Sequence, residues 1–267
     1  QFVIAKICAH GCKSTSSNCQ FDIVLVTNII NYKNEIYDSA ICFSIQPSYG
    51  FETQHSWGKI VIKQTNFSSN SCKYTIRQFL IQYSSNSVAS SISYTSVANN
   101  VDSSGYCIHL SSSCLYEIDS CNFISNTDTS SSNGLISISG TLNLRGSCIV
   151  NNSGAYIIYN SGGKSITVIN CTIDSTNKFY GSVVIESTPK TSFINKIKCI
   201  ETAHCYAHYD SVGSLTVIPN VTKSYPFGVP PDKVEIIIQM YCNKHTDNDI
   251  IRAFNYLIMQ LFISFEL

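Results

Sequence analysis

Charge is scarce in this chain of 267 residues: Asp, Glu, Lys and Arg together make up 13%, about half of the roughly 25% found in an ordinary globular protein. Arginine is reduced to Arg77, Arg145 and Arg252. The 17 basic and 17 acidic residues leave a formal net charge of zero. That removes the electrostatic footprint of a nucleic-acid-binding protein, or of one drawn to an anionic membrane surface. Tight hairpin turns are nearly missing as well, because Asn133-Gly134 is the only Asn-Gly or Asp-Gly pair, which argues against a fold of antiparallel hairpins. No amphipathic helical pattern stands between Gly50 and Ile218, so a doubly wound or barrel α/β fold lacks its crossover helices. No Cys-x-x-Cys pair occurs, and the cluster Cys8, Cys12 and Cys19 has no histidine at zinc-finger spacing, so a structural zinc site is not expected there.

Polarity comes instead from 41 Ser and 23 Asn, set in a chain that is 44% hydrophobic. A disordered segment would combine such polar residues with few apolar ones. Apolar residues spread everywhere but separated by Ser, Asn and Gly read as many short strands joined by tight turns. The 13 cysteines are odd in number, in a chain longer than a small disulfide scaffold. The chain opens on Gln1, as a mature form or a fragment would. Its last 18 residues, Ile250 to Leu267, are apolar but interrupted by Arg252, Asn255, Gln260 and Glu266. Against the requirement of about 20 mostly apolar residues for a span, this segment reads first as a helical cap or a membrane-proximal piece cut short. Membrane association through it is the weaker expectation.

Two motifs alternate between Lys59 and Ile218. One is a Gly-led strand, starting at Gly105, Gly134, Gly154, Gly181 and Gly213. The other is an apolar residue, two variable positions and an Asn: Phe67 to Asn70, Tyr83 to Asn86, Val97 to Asn100, Phe123 to Asn126 and Ile149 to Asn152, with a weaker form at Ile173. Apolar residues alternate with period two (Ile136 and Ile138, Leu142 and Leu144, Ile166 and Val168), which places each pair on one face of a strand. Two motifs in fixed order at a wandering spacing describe one repeated unit with loops of varying length. The expectation is an all-β, right-handed parallel β-helix (a β-solenoid) with irregular coils of about 20–30 residues, each satisfying the backbone of the next about 4.8 Å away.

Equivalent residues then stack. Cys121, Cys148 and Cys171, one or two positions before the apolar residue of the motif, are expected as buried ladder thiols. Asn70, Asn86, Asn100, Asn126 and Asn152 are expected as structural turn residues, since Asn tolerates left-handed backbone and can form hydrogen-bonded ladders. The β-helix is taken as 1–232, best supported over 59–218, with the Cys-rich start as a cap. Residues 233–267, after Pro230-Pro231, form a distinct apolar segment.

The alternation of Gly-led strand and apolar-x-x-Asn turn resembles the pectate-lyase-like right-handed β-helix. Within that group it is most similar to the Ser/Asn/Cys-rich repeats of polymorphic membrane proteins of bacterial pathogens and of surface proteins of parasitic protists. The likeness covers Lys59 to Asn177 well and Gly181 to Ile218 more loosely. The Gly-Gly-Ala-Ile form of the first motif is absent, Gly162-Gly163 being the only glycine pair. The resemblance implies an extracellular or cell-surface, adhesive protein whose ligands would be host-cell, matrix or glycan components. It also carries an alternative, an enzyme acting on polysaccharide.

Candidate chemistry is thin. Asn126-Thr127-Asp128 matches the Asn-Thr-Asp element of polygalacturonases, but their Asp-Asp, Gly-His-Gly and Arg-x-Lys elements have no counterpart, and a Ser-rich stretch makes Asp128 ordinary turn chemistry. Glu117 and Asp119 would share one strand face as solvated side chains. His204, Cys205 and His208, with Cys199 nearby, form the densest metal-ligand cluster but offer no clear fourth ligand. Tyr and Phe read as singly placed stack and bend fillers, not as a sugar-binding platform. No catalytic residue, metal or cofactor is assigned. Four sequons, at Asn66, Asn151, Asn170 and Asn220, are candidate glycosylation sites; Asn66 and Asn151 are expected in turns and Asn170 in a strand.

Overall fold

A short strand that buries one face must find partners above and below, and in this chain every partner is the equivalent strand of the next coil. The structure is a computed structural model; it describes residues 2–5, 7–11, 23–26, 33–45, 51–56, 59–79, 90–110, 114–130, 132–197 and 239–241. Strands in these residues form three parallel sheets, each of eight strands. The first sheet stacks Phe2–Ala5, Lys33–Tyr37, Lys59–Lys63, Ser90–Ser93, Leu115–Asp119, Thr141–Arg145, Ile166–Ile169 and Val183–Ser187, in that order. In the second, Cys8–His10, Ala40–Cys42, Asn66–Ser68, Ser96–Ala98, Asn122–Ile124, Cys148–Val150 and Thr172–Ile173 follow one another, and Gln239–Tyr241 adds to the Cys8–His10 edge. The third runs from Ile23–Val26 through Phe51–Ser56, Ser71–Phe79, Val101–Leu110, Gly134–Ile138 and Tyr156–Asn160 to Phe179–Tyr180, with Thr127–Asp128 beside Val101–Leu110. The fold is all-β and a parallel β-solenoid, and the described residues contain no helix.

Differences between paired residue numbers give the coil lengths. They are 32 (Phe2 to Asn34), 26 (Lys33 to Lys59), 30 (Val61 to Ser91), 26 (Ser91 to Glu117), 26 (Leu115 to Thr141) and 24 (Leu142 to Ile166). The last coil shrinks to 17 (Ile166 to Val183). Inside, equivalent apolar residues stack into columns. On the first sheet Ile36, Ile62, Ile92, Ile118, Leu144 and Val168 follow one another in register, all buried. On the second sheet Phe67, Val97, Phe123 and Ile149 do the same, and on the third Ile76, Ile108, Ile136 and Ile158. The alternation of apolar and polar positions thus becomes an unbroken core along the axis.

Two of the corners are built by one recipe. At the turn from first to second sheet, a residue with positive φ is followed by Ser39, Thr65, Thr95, Cys121, Ser147 or Cys171 in successive coils. Each of these side chains donates a hydrogen bond to the carbonyl two residues earlier, at 2.7–3.4 Å. Cys121 and Cys171 therefore belong to a mixed hydroxyl–thiol column, with Ser147 between them, not to a stack of cysteines. Ser, Thr and Cys are interchangeable there because the turn needs only a small donor. Cys148 stands outside this column: it pairs with Asn122 and Thr172 on the second sheet. At the turn from second to third sheet the polar residue is Asn. Asn70, Asn100, Asn126 and Asn152 pass hydrogen bonds along the axis: the main-chain N–H of Asn70, Asn100 and Asn126 each donates to the side-chain oxygen of the next Asn, at 2.9–3.0 Å. Each side-chain amide reaches back to the carbonyl of Ile41, Phe67, Val97 or Phe123 at 2.8–2.9 Å. Asn86 lies outside the described residues, and Asn70 bonds Asn100 directly.

The structure sorts several of the expected features. Of the Cys-rich start, Phe2–Ala5 and Cys8–His10 form rungs of the first and second sheets, and Cys12 and Cys19 lie outside the described residues. Gly181 is out of phase with Gly134 and Gly154: the strand that follows it, Val183–Ser187, joins the first sheet, while Phe179–Tyr180 continues the third. The shortened last coil is the physical reason. Cysteines also divide: Cys8 is disulfide-bonded, whereas Cys42, Cys72, Cys107, Cys114, Cys121, Cys148 and Cys171 are buried thiols. Gly213, the apolar segment 250–267 and the residues from 198 to 238 lie outside the described residues.

After the last rung the chain doubles back over the outside of the second sheet. The Phe193 amide donates to the Thr172 hydroxyl at 3.0 Å. Asn195 exchanges bonds with Asn122 (3.0 and 2.8 Å) and donates from its side chain to the carbonyls of Cys121 and Gly146. This strap crosses neighbouring coils and buries Ile197.

Two outcomes check this architecture. Asn126→Ala removes the acceptor for the buried Asn100 N–H and the donor to Val97, so it lowers the unfolding free energy by about 3 kcal/mol, read by urea denaturation. Burial pushes the Cys121 thiol up to about 12 and that of Cys148 to about 11, and it raises those of Cys107, Cys114 and Cys171 as well. Alkylation mapped by mass spectrometry leaves these five unlabelled in the native protein and labels them after unfolding.

Candidate functional site

Each sheet turns one face outward, and the three faces differ. On the first sheet the outward positions mix charged residues, among them Lys63, Glu117, Asp119 and Arg145, all exposed, with apolar ones such as Val61, Leu115 and Ile169. Glu117 and Asp119 do share this face; Asp119 pairs in register with Arg145 and accepts a bond from the Ser120 hydroxyl at 3.0 Å. The second sheet carries the strap. The third is aromatic.

Two columns make the third face. One runs Tyr74, Tyr106, Gly134, Tyr156 in register, and the other His109, Ser137, Tyr159, Tyr180. Tyr106 and His109 stack at 4.6 Å between ring centroids with planes 14° apart. Tyr74 lies parallel to both, at 5.9 and 5.6 Å. Beyond the Gly134 rung, Tyr159 and Tyr180 stack at 4.8 Å with planes 17° apart, and Tyr156 tilts against them at 5.6 and 5.3 Å. Gly134 is required by this packing: a Cβ there would lie 2.6 Å from the Cβ of Tyr159. The Tyr106 hydroxyl donates to the side-chain oxygen of Asn133 at 3.0 Å, and burial raises its pKa above 10.0. Tyr106, His109, Tyr156 and Tyr159 are half-buried, while Tyr180 is 47% exposed at the terminal rung. The tyrosines are thus not singly placed: they stack on one another, Tyr74 from a buried position, which is the stack-filling role expected of most of them. Their sequence separations of about one coil each hide the relation from any local motif.

Sequence reasoning also missed a pair of buried carboxylates beside these rings. Asp102 and Asp128 occupy the same register position on adjacent rungs, with 0% and 4% of their surfaces exposed. Thr75 donates to Asp102 at 3.5 Å. Asp128 accepts from the Ser130 amide at 2.8 Å and from the Ser130 hydroxyl at 3.0 Å, which is the turn chemistry expected of it, but its burial was not foreseen. Desolvation raises its pKa from 3.8, partly opposed by the two Ser130 bonds. The Val101–Leu110 strand changes register between Asp102 and Tyr106, and this irregularity separates the carboxylate rungs from the aromatic ones.

The sequons sort differently from expectation. Asn66 opens a strand and is 1% exposed, its amide directed at the Cys42 sulfur and the Ser68 hydroxyl, so it cannot accept a glycan in the folded chain. Asn151 and Asn170 are exposed turn residues with φ of 57° and 51°. Asn220 and the cluster of Cys199, His204, Cys205 and His208 lie outside the described residues. Among the described residues, no group of three or more His, Cys, Asp or Glu side chains stands where it could hold a metal ion, and no helix is long and apolar enough to cross a membrane. Comparison of the chain with protein-family models, with curated proteins and with solved structures finds no match.

Chemically, the third face offers mutually stacked rings edged by hydroxyl and amide groups, with the Lys73 ammonium 5.4 Å from the Tyr74 ring centroid, and the Asp102–Asp128 pair lies beneath the surface. Because the folded-state pKa of Asp128 is raised, its protonated form favours folding. This contribution is complete below about pH 4, the unfolded value, and is lost as pH rises through the raised value. Calorimetric melting should therefore show a gain in stability as pH falls from neutrality towards about 4, and Asp128→Asn should flatten that part of the profile. For a chain secreted through a glycosylating pathway, peptide mapping should find glycan at Asn151 and Asn170 and none at Asn66.

Proposed function

We propose that the protein is a non-catalytic, extracellular or cell-surface β-helix that displays the outer face of its third sheet for adhesion or ligand contact. The aromatic third face is the observation that carries this reading: a sheet face of parallel rings spread over successive coils is a surface for contact. The disulfide at Cys8 and the exposed sequon residues Asn151 and Asn170 accord with an oxidising, secretory route. The likeness to pectate-lyase-like and polymorphic membrane protein-like repeats points the same way. The partners are host-cell, matrix or glycan components.

One observation favours a second reading, an enzyme acting on polysaccharide. Two carboxylates one rung apart, about 4.8 Å in a sheet, are close to the spacing of a retaining glycosidase pair, and Asp102 and Asp128 have that relation. Their burial weighs against direct contact with a chain in solvent. The purified protein should adhere to host-cell or matrix preparations and leave acidic and neutral polysaccharides intact. Release of reducing ends or unsaturated products, abolished by Asp102→Asn or Asp128→Asn, would replace the display reading with the enzymatic one.

A further inference from the structure

We propose that the end of the solenoid at Val183–Ser187 docks a second copy of this chain, the two open ends meeting about a two-fold axis. All three core columns stop at this terminal rung. On the first sheet Ile185 continues the column of Ile36, Ile62, Ile92, Ile118, Leu144 and Val168 in register. Those six are at most 3% exposed, whereas Ile185 is 40% exposed. Ile173 ends the second-sheet column after Ile149, and Phe179 ends the third-sheet column after Ile158. Both, like Val183, are only partly buried. Val184 and Tyr180 on the same rung are 51% and 47% exposed, and Ile194 on the adjoining strap is 55% exposed. Among the described residues, no strand pairs with the far edge of Val183–Ser187 or of Phe179–Tyr180. An open apolar cross-section of this kind is a contact surface, because a solenoid must cover its ends.

The path of the chain names the occupant. After the last rung the chain leads away from this end: Phe193 is bonded at the Thr172 rung and Asn195 at the Asn122 rung. Gln239–Tyr241 then pairs with Cys8–His10 at the opposite end. Seven rung steps separate that strand from Thr172–Ile173, about 34 Å at roughly 4.8 Å each. The far end of the second-sheet column is closed accordingly, since Ala9, in register with Ile41, is 1% exposed. Head-to-tail stacking of copies would have to displace Gln239–Tyr241, whereas two open ends meet with nothing in the way. A two-fold axis through the first sheet sets Ile185 near its own copy and Ile173 near the partner's Phe179, so the surface complements itself. Glu186 is the extra residue where the ladder slips against Val168 and Ile169, a bulge that keeps an edge strand from pairing at length. The copies therefore meet through their apolar columns, with any strand pairing confined to Val183, Val184 and Ile185.

Sedimentation equilibrium of the full chain over a range of concentrations tests the proposal. The expected species is a reversible dimer, twice the chain mass of 29.5 kDa, with nothing larger. Ile185→Lys and Ile194→Lys should each weaken association at least about tenfold, by placing an unpaired charge in the contact. Val101→Lys changes a comparably exposed apolar residue away from this end and should leave the dimer unchanged. Circular dichroism confirms that each variant keeps the β fold, and Ile194→Lys, outside the ladder, serves if Ile185→Lys fails to fold. Hydrogen exchange at the Val183, Val184 and Ile185 amides should slow as concentration rises through the dimer transition. The proposal is overturned by a monomer at every concentration, by an open series of larger oligomers, or by a dimer that folded Ile185→Lys and Ile194→Lys both leave intact. A monomer whose three amides exchange slowly at any dilution would show that another part of this chain closes the end. A monomer whose amides exchange fast would leave the end to a different protein.

Discussion

The side-chain bond that an Asn makes to the main chain of the coil below holds the rest of this structure in place. Asn100, Asn126 and Asn152 each supply an oxygen to a buried main-chain N–H one rung away and an amide to a carbonyl of the same neighbouring coil. A corner of a solenoid leaves backbone donors and acceptors that no strand can satisfy, and burying them unpaired would cost about 1–3 kcal/mol apiece. Asn is the residue that answers both needs from one side chain, as acceptor and donor together.

The corner carries a cost of its own. All ten non-glycine residues with positive φ among the described residues stand at the two corners built this way, one per coil immediately before the polar residue. Left-handed backbone costs an ordinary L-residue roughly 1–2 kcal/mol, and the hydrogen bonds of the Asn column and of the hydroxyl–thiol column offset it. With two corners fixed so tightly, variation falls elsewhere. Coil length changes within or after the third sheet, as between Asp102 and Tyr106, where the register shifts, and between Asn160 and Ile166, which join third sheet to first. The third side is the one on which the chain can alter side chains and loops without disturbing the ladder, and that is where the aromatic columns lie.

This division also explains what the sequence revealed. The apolar-x-x-Asn spacing was legible because the corner demands one residue type at one place, and Asn70, Asn100, Asn126 and Asn152 occupy it. The other corner was half legible: Cys121 and Cys171 stood out, but Ser39, Thr65, Thr95 and Ser147 do the same work and vanish in a Ser-rich background. Gly181 misled, since a glycine before a strand looks the same whichever sheet the strand joins, and only the shortened coil shifts its phase. Nothing local announced that Asp102 would meet Asp128, or that Tyr106 and Tyr159 would flank Gly134. Those relations depend on coil length, which is fixed by loops that carry no pattern. The candidate site was therefore far less readable than the fold.

Hydrogen exchange at the Asn column probes the account most directly. The main-chain amides of Asn70, Asn100 and Asn126 sit in turns, where exchange is ordinarily fast, yet each is bonded to the next Asn at 2.9–3.0 Å. The account predicts that these three exchange as slowly as the core-strand amides of Ile118 and Leu144, opening only with global unfolding. Exchange at the rate of an exposed turn would contradict it, because the coils would then be held together without the ladder on which the third face depends.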